Sequence, residues 1–137
     1  MARVFAEHEL PRFTSLRDTR DRLDLVTDNV PVAAERIRAD RIVYHPGDTA
    51  AAHYHVGSLH VFYILRGSGI ACVEGTRTRV RAGAVHVVEP GQVHWFENDT
   101  QEEFAFVELW APPPEDTIWV ETGDVCTWKP AAAEVVG

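Results

Sequence analysis

Gly47-DTAAA-His53-Tyr54-His55-VGSL-His60-VFYILR-Gly67, followed further on by Gly83-AVHVV-Glu89-Pro90-Gly91-QV-His94-WFE-Asn98, is the stretch on which the reading of this 137-residue chain turns. Apolar runs of a few residues alternate here with glycine, proline, asparagine and aspartate. That rhythm is the pattern of an all-β sandwich or barrel. The runs predict strands over residues 40–44, 51–55, 60–66, 69–74, 77–81, 84–89, 93–97 and 103–111. The separators His45-Pro46-Gly47-Asp48, Arg66-Gly67-Ser68-Gly69, Glu74-Gly75-Thr76 and Pro90-Gly91 each supply a residue suited to a tight turn.

Four histidines interrupt this pattern: His53, His55, His60 and His94. In a strand, residues i and i+2 share a face, so His53 and His55 point the same way. On a helix they would diverge by about 200° and could not grip one ion. The turn-like Val56-Gly57-Ser58-Leu59 predicts that His60 opens the next antiparallel strand beside His55. His94 starts a later strand that a barrel can bring across. Imidazole suits zinc, copper, iron, cobalt, nickel and manganese, so the four together predict a metal site. A histidine in a strand is more often a packing or surface residue. The weight therefore rests on the group and not on any one member.

The same alternation puts Phe62 and Ile64 on the face of His60 and Phe96 on the face of His94. They could shape a substrate pocket or simply fill the core. Tyr54, Tyr63 and Trp95 point the other way. Glu108 is the one charge in the apolar run from Phe104 to Trp110, and it could be a general base or face solvent. His86 reads as out of phase with the ligand face, and His8 and His45 lie outside the motifs. All three are expected to be structural or surface residues. Arg41 and Arg66 could attract an anion.

Outside this region the pattern weakens. Residues 1–39 read as an irregular arm with leading strands, belonging to the same domain as a core at 40–111. Residues 17–24 alternate basic and acidic side chains and predict a solvated loop, Leu23, Leu25 and Val26 suggest the start of a strand, and residues 32–38 predict a strand or short helix. A tail at 112–137 begins at Pro112-Pro113-Pro114, carries Trp119 and Trp128, and is expected to pack back on the barrel. The length suits one compact domain. A net charge of −8 argues against a nucleic-acid surface. No apolar run approaches the length of a membrane span, and the polar start predicts a cytoplasmic protein. Cys72 and Cys126 are too few for a disulfide framework and are expected to be free thiols.

The two motifs resemble those of the cupin superfamily, G-x5-H-x-H-x3,4-E-x6-G and G-x5-P-x-G-x2-H-x3-N. The resemblance implies a double-stranded β-helix, or jelly-roll, barrel. It implies metal-ligand roles for His53, His55 and His94. The sequence departs in two places: His60 stands where the first motif has glutamate, and Glu89 where the second has its first proline. A histidine at the glutamate position can still bind, and without it a three-histidine site remains, which cupin dioxygenases also use. With four neutral imidazoles, a divalent ion would keep a charge near +2 and favour a small anionic, chelating substrate. The resemblance implies an enzyme with one divalent transition metal, Fe(II) favoured and Mn, Zn, Ni, Co or Cu also suitable, acting as a dioxygenase. The alternatives are a non-redox polyketide cyclase, lyase or isomerase, and a non-catalytic small-molecule-binding cupin. It also implies a homodimer, for which residues 1–16, Tyr63 and Trp95 are candidate contacts.

Overall fold

The computed structural model describes residues 4–10, 12–14, 20–26, 37–113 and 116–127. After a single 3-10 turn at Glu7–Glu9, the described chain is built of strands. These are β1 (Arg12–Thr14), β2 (Asp21–Val26), β3 (Arg38–Tyr44), β4 (His53–Tyr54), β5 (Leu59–Arg66), β6 (Ser68–Val73), β7 (Thr76–Arg81), β8 (Val85–Val88), β9 (His94–Glu97), β10 (Phe104–Ala111), β11 (Asp116–Trp119) and β12 (Val125–Thr127). They form two six-stranded sheets. Sheet A has the order β1-β2-β3-β10-β5-β8, and sheet B the order β12-β11-β4-β9-β6-β7. Neighbours pair antiparallel throughout. This is the all-β barrel that the strand pattern predicts, in the jelly-roll, double-stranded β-helix form that the motif resemblance implies.

Alternation along the strands creates the core. Ile42, Tyr44, Phe62, Ile64, Phe104 and Phe106 point in from sheet A, and Ala71, Val80 and Phe96 from sheet B. Rings interlock between the sheets, with Phe62–Phe96 and Phe96–Phe106 centroids both 4.7 Å apart. Such edge-on and tilted contacts add to the burial of large apolar surface. The motif glycines act through the backbone. Gly91 takes φ +81° and donates its N–H to the His55 carbonyl at 2.8 Å. Gly67 takes φ +73°, and a side chain there would strike the Glu103 carbonyl. Asn98 accepts from Thr100 through Oδ1 and donates through Nδ2 to the Tyr44 and Glu102 carbonyls, closing the loop between β9 and β10. The asparagine of the second motif is therefore structural.

Two expectations change. Residues 21–24, placed in a solvated loop by their alternating charges, form β2 along β3. The reason is that Arg22 faces inward, where its Nε lies 3.0 Å from the Oδ2 of Asp40, while Leu23 is buried. Residues 17–19 lie outside the described residues, as do 31–36, while Arg38 opens β3. β1 and β2 are strands within the arm at 1–39, where leading strands are expected. Finally, His55 and His60 do not belong to one hairpin: β4 lies in sheet B and β5 in sheet A, so the short connection crosses between sheets. In the tail, β11 pairs with β4, and Trp128 lies outside the described residues. No helix among the described residues is long and apolar enough to cross a membrane.

Candidate metal centre

Sheet B builds the centre's first half. His53 on β4 is the direct cross-strand partner of His94 on β9, and their rings lie 4.4 Å apart. His55 follows β4 and places its ring 5.2 Å from that of His53 and 5.5 Å from that of His94. One nitrogen from each of the three lies within 4.8 Å of the other two. The backbone decides which nitrogen that is. Nδ1 of His53 donates to the Ala51 carbonyl at 2.9 Å, Nδ1 of His94 to the Gln92 carbonyl at 2.9 Å, and Nδ1 of His55 to the Asp116 carbonyl at 3.3 Å. Each ring thus turns the lone pair of Nε2 toward the shared space. Such anchoring sets the tautomer and orientation of a metal-bound imidazole. Nε2 of His55 is buried with no hydrogen-bond partner. A buried acceptor left unmade is costly, and an ion would satisfy it. The donor set fits a divalent transition metal.

Sheet A brings the other half. Its inward rows run Arg38–Trp110–His60–Val88 and Asp40–Glu108–Phe62–His86 across β3, β10, β5 and β8. His60 is 2 % exposed, and its ring lies between Phe62, at 4.0 Å and 37°, and Trp110, stacked at 4.4 Å and 24°. Its Nδ1 meets Nε2 of His94 at 3.3 Å, and its Nε2 meets Oε2 of Glu108 at 3.1 Å. These contacts order the protons. His94 already donates through Nδ1, so its Nε2 accepts and His60 Nδ1 is the donor. His60 Nε2 then accepts, and the Glu108 carboxyl carries the donated proton. The electrostatics agree. Burial lowers His60 well below the ordinary imidazole range and raises Glu108, a rise that Arg20 and Arg22 oppose. Burial also brings His55 and His94 down to about 4, and loss of water around its ring takes His53 well below its usual value.

The structure thus brings all four predicted histidines together, three in one group and His60 at its edge. Glu108, 7 % exposed, faces the site and not solvent. A carboxyl group, neutral in the metal-free protein, stands one hydrogen bond behind His60. Phe62 touches His60, while Phe96 and Ile64 sit deeper in the apolar cluster. His86 was placed out of phase and is not: Val85 and Val87 face out, while His86 turns inward beside Phe62 and Phe96, at 5.9 and 5.7 Å. Its buried Nε2 has no hydrogen-bond partner. Arg41 and Arg66 lie on the outer surface, paired with Glu7 and Glu103. His45, facing Asp21 and Glu103, is a surface residue, and His8 lies in the N-terminal turn. Cys72 is a buried free thiol whose pKa burial raises; the side chain of Cys126 lies outside the described residues. Sequence reasoning missed Trp110, Trp119, which packs 5.0 Å from His53, and the buried charges Arg38 and Asp40. Trp110, Arg38 and Asp40 share the inward phase of their strands, which was the available signal.

Comparison with known proteins agrees with this architecture. Residues 40–111 match the Cupin_2 family, described as a cupin domain, and the chain belongs to that family. It is 30% identical over 69 residues to an oxalate-binding protein of Thermotoga maritima, a match spanning 50% of this chain and 57% of that relative's length. Among solved structures it is similar to a predicted oxalate decarboxylase from Thermotoga maritima, with TM-score 0.70 and 20% identity over 81% of this chain and 100% of the other. It is also similar to the polyketide cyclase RemF from Streptomyces resistomycificus, with TM-score 0.75 and 16% identity over 96% of this chain and 92% of the other.

Proposed function

We propose that this chain is a metal-dependent cupin enzyme acting on a small organic substrate that carries a carbonyl or anionic group. The observation that carries the reading is the group of three histidines, one ring nitrogen of each within 4.8 Å of the others, with each Nδ1 tied to a backbone carbonyl. His53, His55 and His94 would hold the ion, with His60 as the fourth ligand. A bound divalent ion, Fe(II) in this reading, would polarise the substrate and supply electrons to dioxygen, giving dioxygenase chemistry. Phe62 and Trp110 would exclude water from the inner wall and present apolar surface to an organic substrate, with Phe96 packed behind Phe62. His86 offers a hydrogen bond there. The names of the similar proteins, which concern oxalate and a polyketide, support a substrate rich in carbonyl oxygen.

Glu108 favours a second reading, non-redox cyclase, lyase or isomerase chemistry with a Lewis-acid ion. A carboxyl group beside His60 can hold or release a proton near a polarised carbonyl. Metal analysis of protein purified without added metal, then oxygen uptake with a panel of β-diketones and aromatic acids, separates the two. Oxygen-dependent turnover in the iron form supports the dioxygenase. Anaerobic turnover with zinc or manganese overturns it in favour of the second reading. Tight ligand binding with no turnover under either regime overturns both. We further propose a homodimer through the outer face of sheet A, where Tyr63, Leu65, Val85 and Val87 are exposed together. Sedimentation showing a monomer at micromolar concentration would overturn that.

A further inference from the structure

We propose that His60 enters the metal centre through Nδ1, with its Nε2–H held by Glu108, whereas His53, His55 and His94 enter through Nε2. The inference rests on the metal-centre reading above and specifies how its fourth member binds.

Three observations converge. First, the polarity of His60 is reversed. The sheet B histidines have Nδ1 tied to a carbonyl and Nε2 turned to the shared space; His60 has Nε2 tied to Glu108 at 3.1 Å and Nδ1 aimed at His94 Nε2, 3.3 Å away. Second, the ring is clamped. Phe62 and Trp110 cover its two faces at 4.0 and 4.4 Å, so its plane is set. The remaining freedom is a half-turn about the Cβ–Cγ bond, which exchanges each nitrogen for a carbon. That half-turn would lose both polar contacts at once, one of them to a buried carboxyl. Third, the donor that His60 uses toward His94 is the one an ion would displace, because His94 Nε2 is itself a member of the three-nitrogen group.

The proton balance is simple. Nδ1 gives up its proton to solvent as the metal bond forms. The proton on Glu108 crosses to Nε2, leaving a carboxylate that accepts Nε2–H. An imidazole so held is a more basic donor. The negative charge missing from the ligand set then arrives one hydrogen bond further out, through β10 and not β5. Glu108 is a positioning residue in this arrangement.

The test uses 15N-labelled protein loaded with Zn(II), whose ring tautomers are read by long-range 1H–15N correlation. The expected result is metal on Nδ1 and a proton on Nε2 for His60 alone, with the reverse at His53, His55 and His94. Zinc at His60 Nε2, or zinc bound by the other three while His60 carries none, overturns the inference and leaves the metal centre standing. No change at any of the four rings overturns both. Zinc affinity, measured by chelator competition, supplies the second readout. Glu108→Ala should weaken it about 10- to 100-fold. Glu108→Gln, whose carbonyl still accepts Nε2–H, should recover most of that loss. The Glu108→Ala penalty should vanish in a His60→Ala background; an equal penalty there overturns the proposed link.

Discussion

Sheet B presents His53, His55 and His94 on backbone tethers, whereas sheet A presents His60 on a side-chain tether, Glu108. For His53 and His94 the tethering carbonyl lies two residues back on the same segment and needs no particular neighbour, whereas His55 takes its carbonyl from Asp116 on β11. A carboxyl tether needs a second residue on another strand, in the right phase, and protection from water. The side-chain-held member hangs on one residue, so altering Glu108 tests the sheet A half of the candidate site separately from the trio.

Acid should expose this difference most strongly. Unfolded histidines take up protons near pH 6.5, but in the metal-free fold His55 and His94 do so only near 4. Between these values the unfolded state binds more protons, so stability falls as pH falls. Above about 6.5 the two contribute no pH dependence, and below about 4 their loss levels off. Each should remove about 3 kcal/mol across that window, measured by urea unfolding of apo-protein between pH 8 and 4. A flat profile would mean that the sheet B rings are well hydrated and the trio is not pre-built.

Next come the ligands themselves. His94→Ala should lower zinc affinity by more than about 100-fold, since even a ligand's outer partner can cost that much. His60→Ala should cost less, because His60 stands at the edge of the trio. Equal losses by chelator competition would erase the distinction between the two sheets. Phe62→Leu should destabilise the fold by about 1 kcal/mol while loosening the His60 ring, seen as broadened His60 ring signals beside unchanged sheet B signals. The smallest effect should come from Thr117→Val. Its Oγ1 lies 3.2 Å from His55 Nδ1, which keeps the Asp116 carbonyl as partner. Its removal should cost under about 1 kcal/mol, and a larger loss would show that the side chain, and not the backbone, holds His55.

Much of this was legible before any fold was known. The eight strands between residues 40 and 111 follow from alternation and turn residues, with ends off by one or two positions. The four histidines could be grouped because their spacing makes sense only on strands. Leu23, Leu25 and Val26 signal the strand at Asp21–Val26, but its first residues read as loop because alternating charge normally marks a solvated edge, whereas Arg22 faces inward to Asp40. His86 was misplaced because phase cannot be carried reliably across a turn; only the pairing of Phe62 with His86 shows that it faces in. The site's second wall, Trp110, Arg38 and Asp40, belongs to strands on which no motif falls.

The sequence by itself determined that strands would form, where they would turn, and that His53 and His55 would share a face. These are local properties, set by backbone dihedrals and the two-residue period of a strand. Only the tertiary structure decided that His53 lies directly opposite His94, and that His60 arrives from the other sheet clamped between Phe62 and Trp110. It alone put Glu108, forty-eight residues away along the chain, against His60 Nε2. Register and sheet packing bring together groups whose separation in sequence carries no signal, and the contact between a ring nitrogen and a buried carboxyl exists only once they have done so.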